Sequence, residues 1–403
     1  MQAIEAKFQK LGVDNAPGQE VRQRGEDISL IGDIIPGRPV DFSHGDVDAH
    51  PPIPGSAELF MAGVARGGDQ AYTEYRGGLW IREDLARKLS VFTGVPVEAD
   101  QELIITPGTQ AALFLAMGAN IVRGDKVAIV EPDYFANRKI VEFFEGELVP
   151  VHMDYLGCEG RSGLDLAQLE QAFKSGVKLF LFSNPNNPVG VVYSPDEIRA
   201  IATLAHRYDV TVIADELYAR QVFDGRPYTH ICAEPVRPDN LITITGPSKT
   251  ESLSGYRLGV AFGSRQIISR MEKLQAVVSL RAPGYSQIVL KTWFDEPGGW
   301  MRERVLTHQR IRDALVERLD AAEGIEVRAT EAGSYLFVKM PALTVDLQIF
   351  TKALRQLAGV IVTPGTEFGP QFTDCFRINF SQDCTAALAA IERIITVIER
   401  YRA

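Results

Sequence analysis

The chain has little that would mark it for export, metal binding or a membrane. Its 403 residues hold four cysteines, Cys158, Cys232, Cys375 and Cys384, and they form no metal-ligand pattern. Four scattered thiols fit a reduced compartment better than a disulfide framework. Positive charge is in deficit: 42 Lys and Arg against 52 Asp and Glu leave a formal charge of -10, which argues against nucleic acid or an anionic membrane as partner. No apolar run approaches the roughly 20 residues needed to span a bilayer. The N-terminus carries Glu5, Lys7 and Lys10 in an amphipathic pattern, so it lacks the apolar core of a signal peptide. Internal repeats and low-complexity segments are missing too. These absences describe a soluble, cytoplasmic protein of metabolism. What is present agrees: 45% hydrophobic residues in a chain of this length suffice for two domains with large buried cores.

The stretch that organises the rest is 246–259, Gly-Pro-Ser-Lys-Thr-Glu-Ser-Leu-Ser-Gly-Tyr-Arg-Leu-Gly. It sets Lys249 directly after an apolar run, 241–245, that reads as a buried strand, and it sets Arg257 eight residues later. A lysine at a strand end, among small residues that let a flat ligand approach the backbone, is a candidate nucleophile toward a carbonyl compound. Most lysines are solvated and protonated, so a plain surface loop is the competing reading.

Other strand ends carry polar residues of the same kind. Residues 103–106 read as a strand, Pro107-Gly108 as a turn and 109–120 as a helix whose free N–H groups suit a phosphate, although most such junctions bind nothing. Strand 126–130 ends at Glu131-Pro132-Asp133-Tyr134, and strand 178–182 runs into Asn184-Pro185-Asn186-Asn187-Pro188-Val189-Gly190. Ligands in α/β sheets bind at such carboxyl ends. Strand 210–214 leads to Asp215-Glu216-Leu217-Tyr218; an aspartate there either caps a helix or is buried, and burial is expensive without a cationic partner. Arg377 lies inside an apolar strand, 376–380, where its planar fork demands a carboxylate, from a ligand or from the protein itself. Gly45, ending a short strand, either lets a ligand carboxylate meet backbone or forms an ordinary turn. Helices are expected over 195–208 and 265–280, and one long helix from 285 past 310. Strands 326–328 and 333–339, helix 345–358, strands 360–363 and 375–380 and a final helix follow.

In order and spacing these motifs resemble the class I/II pyridoxal-phosphate aminotransferases of fold type I. The lysine signature is matched by Ser248, Lys249, Ser252, Leu253, Gly255, Arg257 and Gly259. Pro247 departs from it, and Gly246 lacks the hydroxyl that many members direct at the cofactor phosphate. The resemblance implies an α/β fold, with a large domain built on a mixed, mostly parallel seven-stranded sheet plus a small α+β domain. Residues 1–50 would form an N-terminal arm and part of the small domain, 51–290 the large domain and 291–403 the C-terminal small domain.

The resemblance also implies the cofactor, pyridoxal 5'-phosphate, and a role for each motif. Lys249 would hold the cofactor covalently, Asp215 would face the ring nitrogen, Tyr218 and Asn187 the ring oxygen, and Tyr134 would stack on the ring. Gly108, Thr109 and Gln110 would lie under the phosphate, Ser248 and Arg257 would add cofactor contacts, and Tyr72 would reach the phosphate in the neighbouring subunit. Arg377 would bind the substrate's α-carboxylate, with Asn187 and Gly45 beside it. Arg281 would read a distal carboxylate across the subunit interface, unless it is a solvated loop arginine or part of a salt bridge. The implied activity is a ping-pong transfer of an amino group between an L-amino acid and a 2-oxo acid in an obligate homodimer. Aspartate or glutamate is the substrate if Arg281 has that role, and an apolar, aromatic or more specialised amino acid otherwise. A carbon–sulfur lyase or a cyclopropane-forming synthase shares all these motifs. A cofactor-binding regulator would normally add a DNA-binding module, and no basic helix-turn-helix precedes Gly45.

Overall fold

The computed structural model of the chain describes residues 2–12, 30–44, 49–157 and 160–403. Seven strands form one sheet: β2 (Leu103–Thr106), β3 (Lys126–Glu131), β4 (Glu147–His152), β5 (Leu179–Ser183), β6 (Thr211–Asp215), β7 (Leu241–Thr245) and β8 (Gly259–Gly263). The spatial order is β2-β8-β7-β6-β5-β3-β4. All pairs are parallel except those of β8, which runs antiparallel between β2 and β7. Strands such as Leu-Phe-Leu-Phe-Ser and Leu-Ile-Thr-Ile-Thr are buried along their whole length, as expected for a sheet covered on both faces.

Strand alternation sorts these residues into two cores. Phe180, Phe182 and Leu241 face α4 (Leu79–Thr93), α7 (Leu166–Lys174) and α8 (Pro195–Arg207). Leu179, Leu181, Ile242 and Ile244 face α5 (Thr109–Gly118), α6 (Phe135–Phe143) and α9 (Arg265–Val278). Short helices α2 (Ser56–Ala65), α3 (Gly68–Ala71) and α10 (Gly284–Gln287) pack together beside α4, and α1 (Gln2–Leu11) lies on α6. Start signals act locally: Ser194 accepts a hydrogen bond from the Glu197 amide and Glu197 reaches back to Ser194, a capping box that opens α8.

A third core lies around a small antiparallel sheet, order β11-β12-β9, built from β9 (Tyr335–Lys339), β11 (Thr363–Pro364) and β12 (Cys375–Asn379). Helices α11 (Trp300–Asp320), α12 (Leu347–Ala358) and α13 (Cys384–Tyr401) cover it. Val40 and Phe42 from the N-terminal part join this core, because β1 (Val40–Asp41) pairs in parallel with β10 (Val360–Ile361). Among the described residues no helix is long and apolar enough to cross a membrane.

Three expected elements differ, the strand over 360–363 being split into β10 and β11, which pair in different sheets. The single helix from 285 past 310 is broken: after α10 and a 3-10 turn, Ile288–Thr292, the chain meets Pro297-Gly298-Gly299 and helix resumes only at Trp300. Proline removes an amide donor and glycine lets the chain turn with φ 83 at Gly299, so the break is written in those three residues. The strand at 326–328 reduces to one bridge, Glu326 to Lys339. The stretch from 135 to 174 holds α6, β4 and α7, for which no expectation is set from sequence; β4 is an edge strand whose short apolar stretch, Leu148-Val149-Pro150-Val151, includes a proline.

Phe350, fully buried in the third core, packs its ring 6.4 Å from that of Phe376, next to Arg377. Phe350→Ala is expected to cost about 3–5 kcal/mol, read as a lowered urea midpoint at unchanged slope.

Candidate active site

Because β2, β3, β5, β6 and β7 are parallel, their carboxyl ends share one edge of the sheet. The antiparallel β8 begins at that same edge, so the loop between β7 and β8 never leaves it. A cavity of about 240 Å³ opens there, lined by residues from every one of these junctions. Of the residues expected from sequence, Thr109, Gln110, Tyr134, Asn187, Asp215 and Tyr218 line it. So do Ser248, Lys249, Arg257 and Arg377.

Gly108 supports the cavity from behind. A Cβ there would come within 2.5 Å of Arg257 Nη2, and a Cβ on Gly259 within 2.4 Å of the Gly108 carbonyl carbon and the Thr109 amide nitrogen. The two glycines let β8 and the Arg257 side chain close against the first turn of α5. Gly108 has φ 87 and no side chain caps that turn, so the Thr109 and Gln110 amides stay open beside the Arg257 guanidinium, while the Ser248 hydroxyl next to them donates to the Leu258 carbonyl at 3.3 Å. The result is a cradle for an anion.

Opposite charge is presented deeper in. Asp215 ends β6, buried, accepting one hydrogen bond from the Leu217 amide at 3.1 Å. Burial pushes its carboxyl up to about 7. Among the described residues no cation lies within ion-pair distance of it, and it does not serve as a helix cap. Its neighbour Glu216 points to the other face and meets His230 Nδ1 at 2.5 Å.

Arg377 sits on β12, 2% exposed. Its Nη1 donates to Asn187 Oδ1 at 3.1 Å and its Nη2 to the Ser43 carbonyl at 2.7 Å, with Thr363 Oγ1 at 3.4 Å. The Nε has no partner, and among the described residues no carboxylate pairs with this guanidinium. An internal salt bridge therefore does not account for it. The rings of Tyr335 and Phe368 lie 4.5 and 4.9 Å from it.

Two expected residues stand off the cavity of their own chain. Tyr72 is 81% exposed. Arg281 donates to the Thr73 carbonyl at 2.6 Å and lies 5.3 Å from the Tyr72 ring centre, so the pair forms one surface feature. Gly45 falls outside the described residues.

Ser43, His44, Ser183 and Tyr335 also line the cavity, and Asp133 braces it through Ser183. Asp133, buried and pushed up to about 7, accepts from the Ser183 amide at 3.0 Å, the Ser183 hydroxyl and the Tyr134 amide at 2.6 Å. The Ser183 hydroxyl in turn accepts from the Asn187 amide at 3.2 Å. Ser43 and His44 form the rim beside Arg377, and Tyr335 reaches in from β9. Asp133 carried the same strand-end signal as Asp215. Nothing in the sequence near Tyr335 pointed to the cavity.

An anion cradle, an amine, an unpaired buried carboxylate and an unpaired buried guanidinium fit a flat ligand with a phosphate at one end and a cationic ring nitrogen at the other, together with a carboxylate-bearing substrate. The comparisons with known proteins agree. The model of the family described as aminotransferase class I and II matches residues 41–394. The crystal structure of an aspartate aminotransferase from Rhodobacter sphaeroides superposes with a TM-score of 0.93 at 62% identity, covering 99% of this chain and 100% of that one. An aspartate aminotransferase of Musicola paradisiaca is 27% identical over 351 residues, 85% of this chain and 86% of that protein. Another, of Rhizobium meliloti, is 28% identical over 347 residues, 83% of each. The chain belongs to the class I and II aminotransferases, enzymes that use pyridoxal phosphate to move an amino group between an amino acid and a 2-oxo acid.

Proposed function

We propose that this aminotransferase acts on acidic amino acids, aspartate or glutamate, as a cytoplasmic homodimer whose sites are shared between two copies of the chain. One observation carries the assignment of its chemistry: the Lys249 amine, the Asp215 carboxylate and the Arg377 guanidinium, far apart in sequence, line one cavity. When bound, pyridoxal phosphate supplies a ring that takes up the electrons released at Cα. The chain's own residues do the rest. The α5 amides, Ser248 and Arg257 hold the phosphate, Tyr134 covers a ring face and Asp215 holds negative charge at the ring nitrogen. Asn187 gives its Oδ1 to Arg377, which leaves its Nδ2 to donate to the ring oxygen beside the Tyr218 hydroxyl. Arg377 would take the substrate carboxylate with parallel N–H groups and so orient Cα toward Lys249, whose amine would take the Cα proton and deliver it to the cofactor carbon on the far side of the amino nitrogen.

The dimer reading is supported by Tyr72 and Arg281, which are useless to their own cavity and project together from the surface. Exposed Met61, Val64, Tyr75, Val277 and Leu280 lie on the neighbouring elements α2, α3 and α9 and their connections, an apolar area suited to burial against a second copy. No carboxylate among the described residues pairs with Arg281, which supports a role for it toward an acidic side chain in the partner's site. The 62% identical structure is an aspartate aminotransferase, in line with that substrate class. Cys232 and Cys375 are buried free thiols, in keeping with a reducing compartment.

The decisive experiment adds single L-amino acids to the loaded enzyme without a 2-oxo acid and records the cofactor spectrum. Aspartate or glutamate is expected to convert the band to that of the aminated cofactor, with one equivalent of oxo acid released. Accumulation of pyruvate and ammonia with the band unchanged would instead make the enzyme a lyase. Lys249→Ala is expected to abolish turnover and the covalently bound band while retaining some cofactor; normal turnover in it overturns the reading.

Arg281→Leu is expected to lower kcat/KM for aspartate about 100-fold, roughly 2.7 kcal/mol, and to leave that for alanine within about threefold. Equal losses for both substrates would remove Arg281 from specificity.

Asp215 also gives the cofactor-free protein a pH signature. Its folded pKa is raised to about 7, so between the ordinary carboxylate range and 7 the folded state holds a proton that the unfolded state has released. Stability from this group is therefore greatest below the unfolded value and falls as pH rises toward 7. From pH 4 to pH 8, cofactor-free Asp215→Asn is expected to gain about 2–4 kcal/mol relative to the parent, measured by urea unfolding at each pH.

A further inference from the structure

Tyr218 and Tyr335 come from distant parts of the chain and meet inside the cavity. Tyr218 follows β6, Tyr335 opens β9, and their hydroxyl oxygens lie 2.6 Å apart. Both residues are almost wholly buried, 3% and 4% exposed, and the rings cross edge-on at 81°. The backbones that carry them are tied together. Val222 bridges Ala332, the Gly333 amide donates to the Gln221 carbonyl at 3.0 Å, and Gln221 Nε2 donates to Ser334 Oγ at 3.3 Å. The segment that follows Tyr218 is thus tied to the segment that precedes Tyr335, which holds the two phenols together.

At 2.6 Å one hydroxyl must donate and the other accept. The charged and titratable groups facing the pair are Lys249 from the loop after β7, Arg377 from β12, Asp215 from the end of β6 and Tyr134 from the start of α6. Burial raises both phenols. At Tyr335 the opposing pull of Lys249, of Arg377 and of the Tyr218 hydrogen bond outweighs it and leaves the phenol below its ordinary value. Tyr218, by contrast, is held well above its own by burial, with Tyr335 adding to the rise. On the reading given above, the single Tyr218 O–H donates to the cofactor's ring oxygen, so the 2.6 Å bond between the two phenols must run from the Tyr335 O–H to the Tyr218 oxygen.

We propose that Tyr335 is a positioning residue: its hydroxyl, donating to Tyr218, aims the Tyr218 O–H at the cofactor's ring oxygen and makes it a stronger donor there. The proposal rests on the reading of Lys249 and Tyr218 given above. A stronger donor at an anionic ring oxygen favours the deprotonated form of the Lys249–cofactor linkage, so losing the Tyr335 hydroxyl raises the pH at which the linkage titrates.

The test is a pH titration of the absorption spectrum of the loaded enzyme without substrate. Tyr335→Phe is expected to move the midpoint upward by about half a unit or more, roughly threefold in proton affinity. In a Tyr218→Phe background the same change is expected to move it no further, because the effect passes through the Tyr218 hydroxyl. A midpoint in Tyr335→Phe equal to the parent's, or an equal upward shift in both backgrounds, overturns the proposal. Should Tyr335→Phe not load cofactor, the parent enzyme labelled at tyrosine Cζ with carbon-13 decides the matter by NMR. Tyr335 is expected to titrate at lower pH than Tyr218, and the reverse order overturns the proposal. Lys249→Ala separates the two levels: if it keeps the same titrating band, the underlying reading fails, whereas its loss of the band together with an unshifted Tyr335→Phe sinks this inference alone.

Discussion

The buried guanidinium of Arg377, held by neutral groups, is the constraint around which the small sheet is arranged. Burying such a charge without a counter-ion costs several kcal/mol even after relaxation. The protein offers it a carbonyl, an amide oxygen, a hydroxyl and two aromatic faces, each of which lowers the cost without cancelling the charge. Supplying the carbonyl requires the N-terminal segment to be strapped to the end of β12. The Asn379 amide donates to the Phe42 carbonyl at 2.8 Å, and Gln382 Nε2 donates to the carbonyls of Asp41 and His44 at 3.0 Å. β12 is central in its sheet, between β11 and β9, so the strand that bears the charge cannot slide to relieve it. A carboxylate that enters finds its partner already desolvated and oriented, and the cost of preparing that partner was met on folding.

Asp215 is the same arrangement with the sign reversed, and comparison with Asp133 isolates what makes it a site. Both aspartates end or follow central strands, both are buried, and burial pushes both up to about 7. Asp133 is surrounded by donors: the amide and hydroxyl of Ser183 and the amide of Tyr134. It is a strut that links the ends of β3 and β5 and, through Ser183, fixes the Asn187 loop. Asp215 has one backbone donor and faces the cavity. The raised pKa is common to both; the unfilled hydrogen-bonding capacity distinguishes the one left open to a ligand.

Most of this was legible where chemistry and strand ends coincide in sequence. Lys249, Asp215 and the Asn184–Gly190 loop each follow an apolar run directly, so the parallel sheet gathers them without long-range information. Arg377 was legible because a charge inside an apolar strand contradicts its surroundings. Tyr335 was not, since a tyrosine in a strand is ordinary and its partner Tyr218 is 117 residues away. The helix break at 297–299 was written in Pro-Gly-Gly, although one unbroken helix was expected across it. Strand β4 was not legible because its apolar stretch is only four residues long and includes Pro150, a residue that argues against strand.

The close spacing of Lys249 and Arg257 follows from sheet topology. A parallel strand leaving the functional edge must return through a crossover of a dozen or more residues, usually a helix on a face of the sheet. β7 and β8 are antiparallel neighbours, with Thr245 opposite Val260, so the 13 residues between the strand ends, 246–258, remain at that edge and can all be spent on the site. The amine and the guanidinium then stand on one short loop, anchored at both ends by buried strand. β8 also needs a neighbour on its other side, and it takes β2, whose turn it meets at Thr106 opposite Gly259. That pairing presses Gly259 against Gly108 and opens the first turn of α5 beside Arg257. One reversed strand therefore supplies the loop with the amine, the guanidinium and the contact that shapes the anion cradle. A side chain at either glycine would separate the three before it touched any ligand.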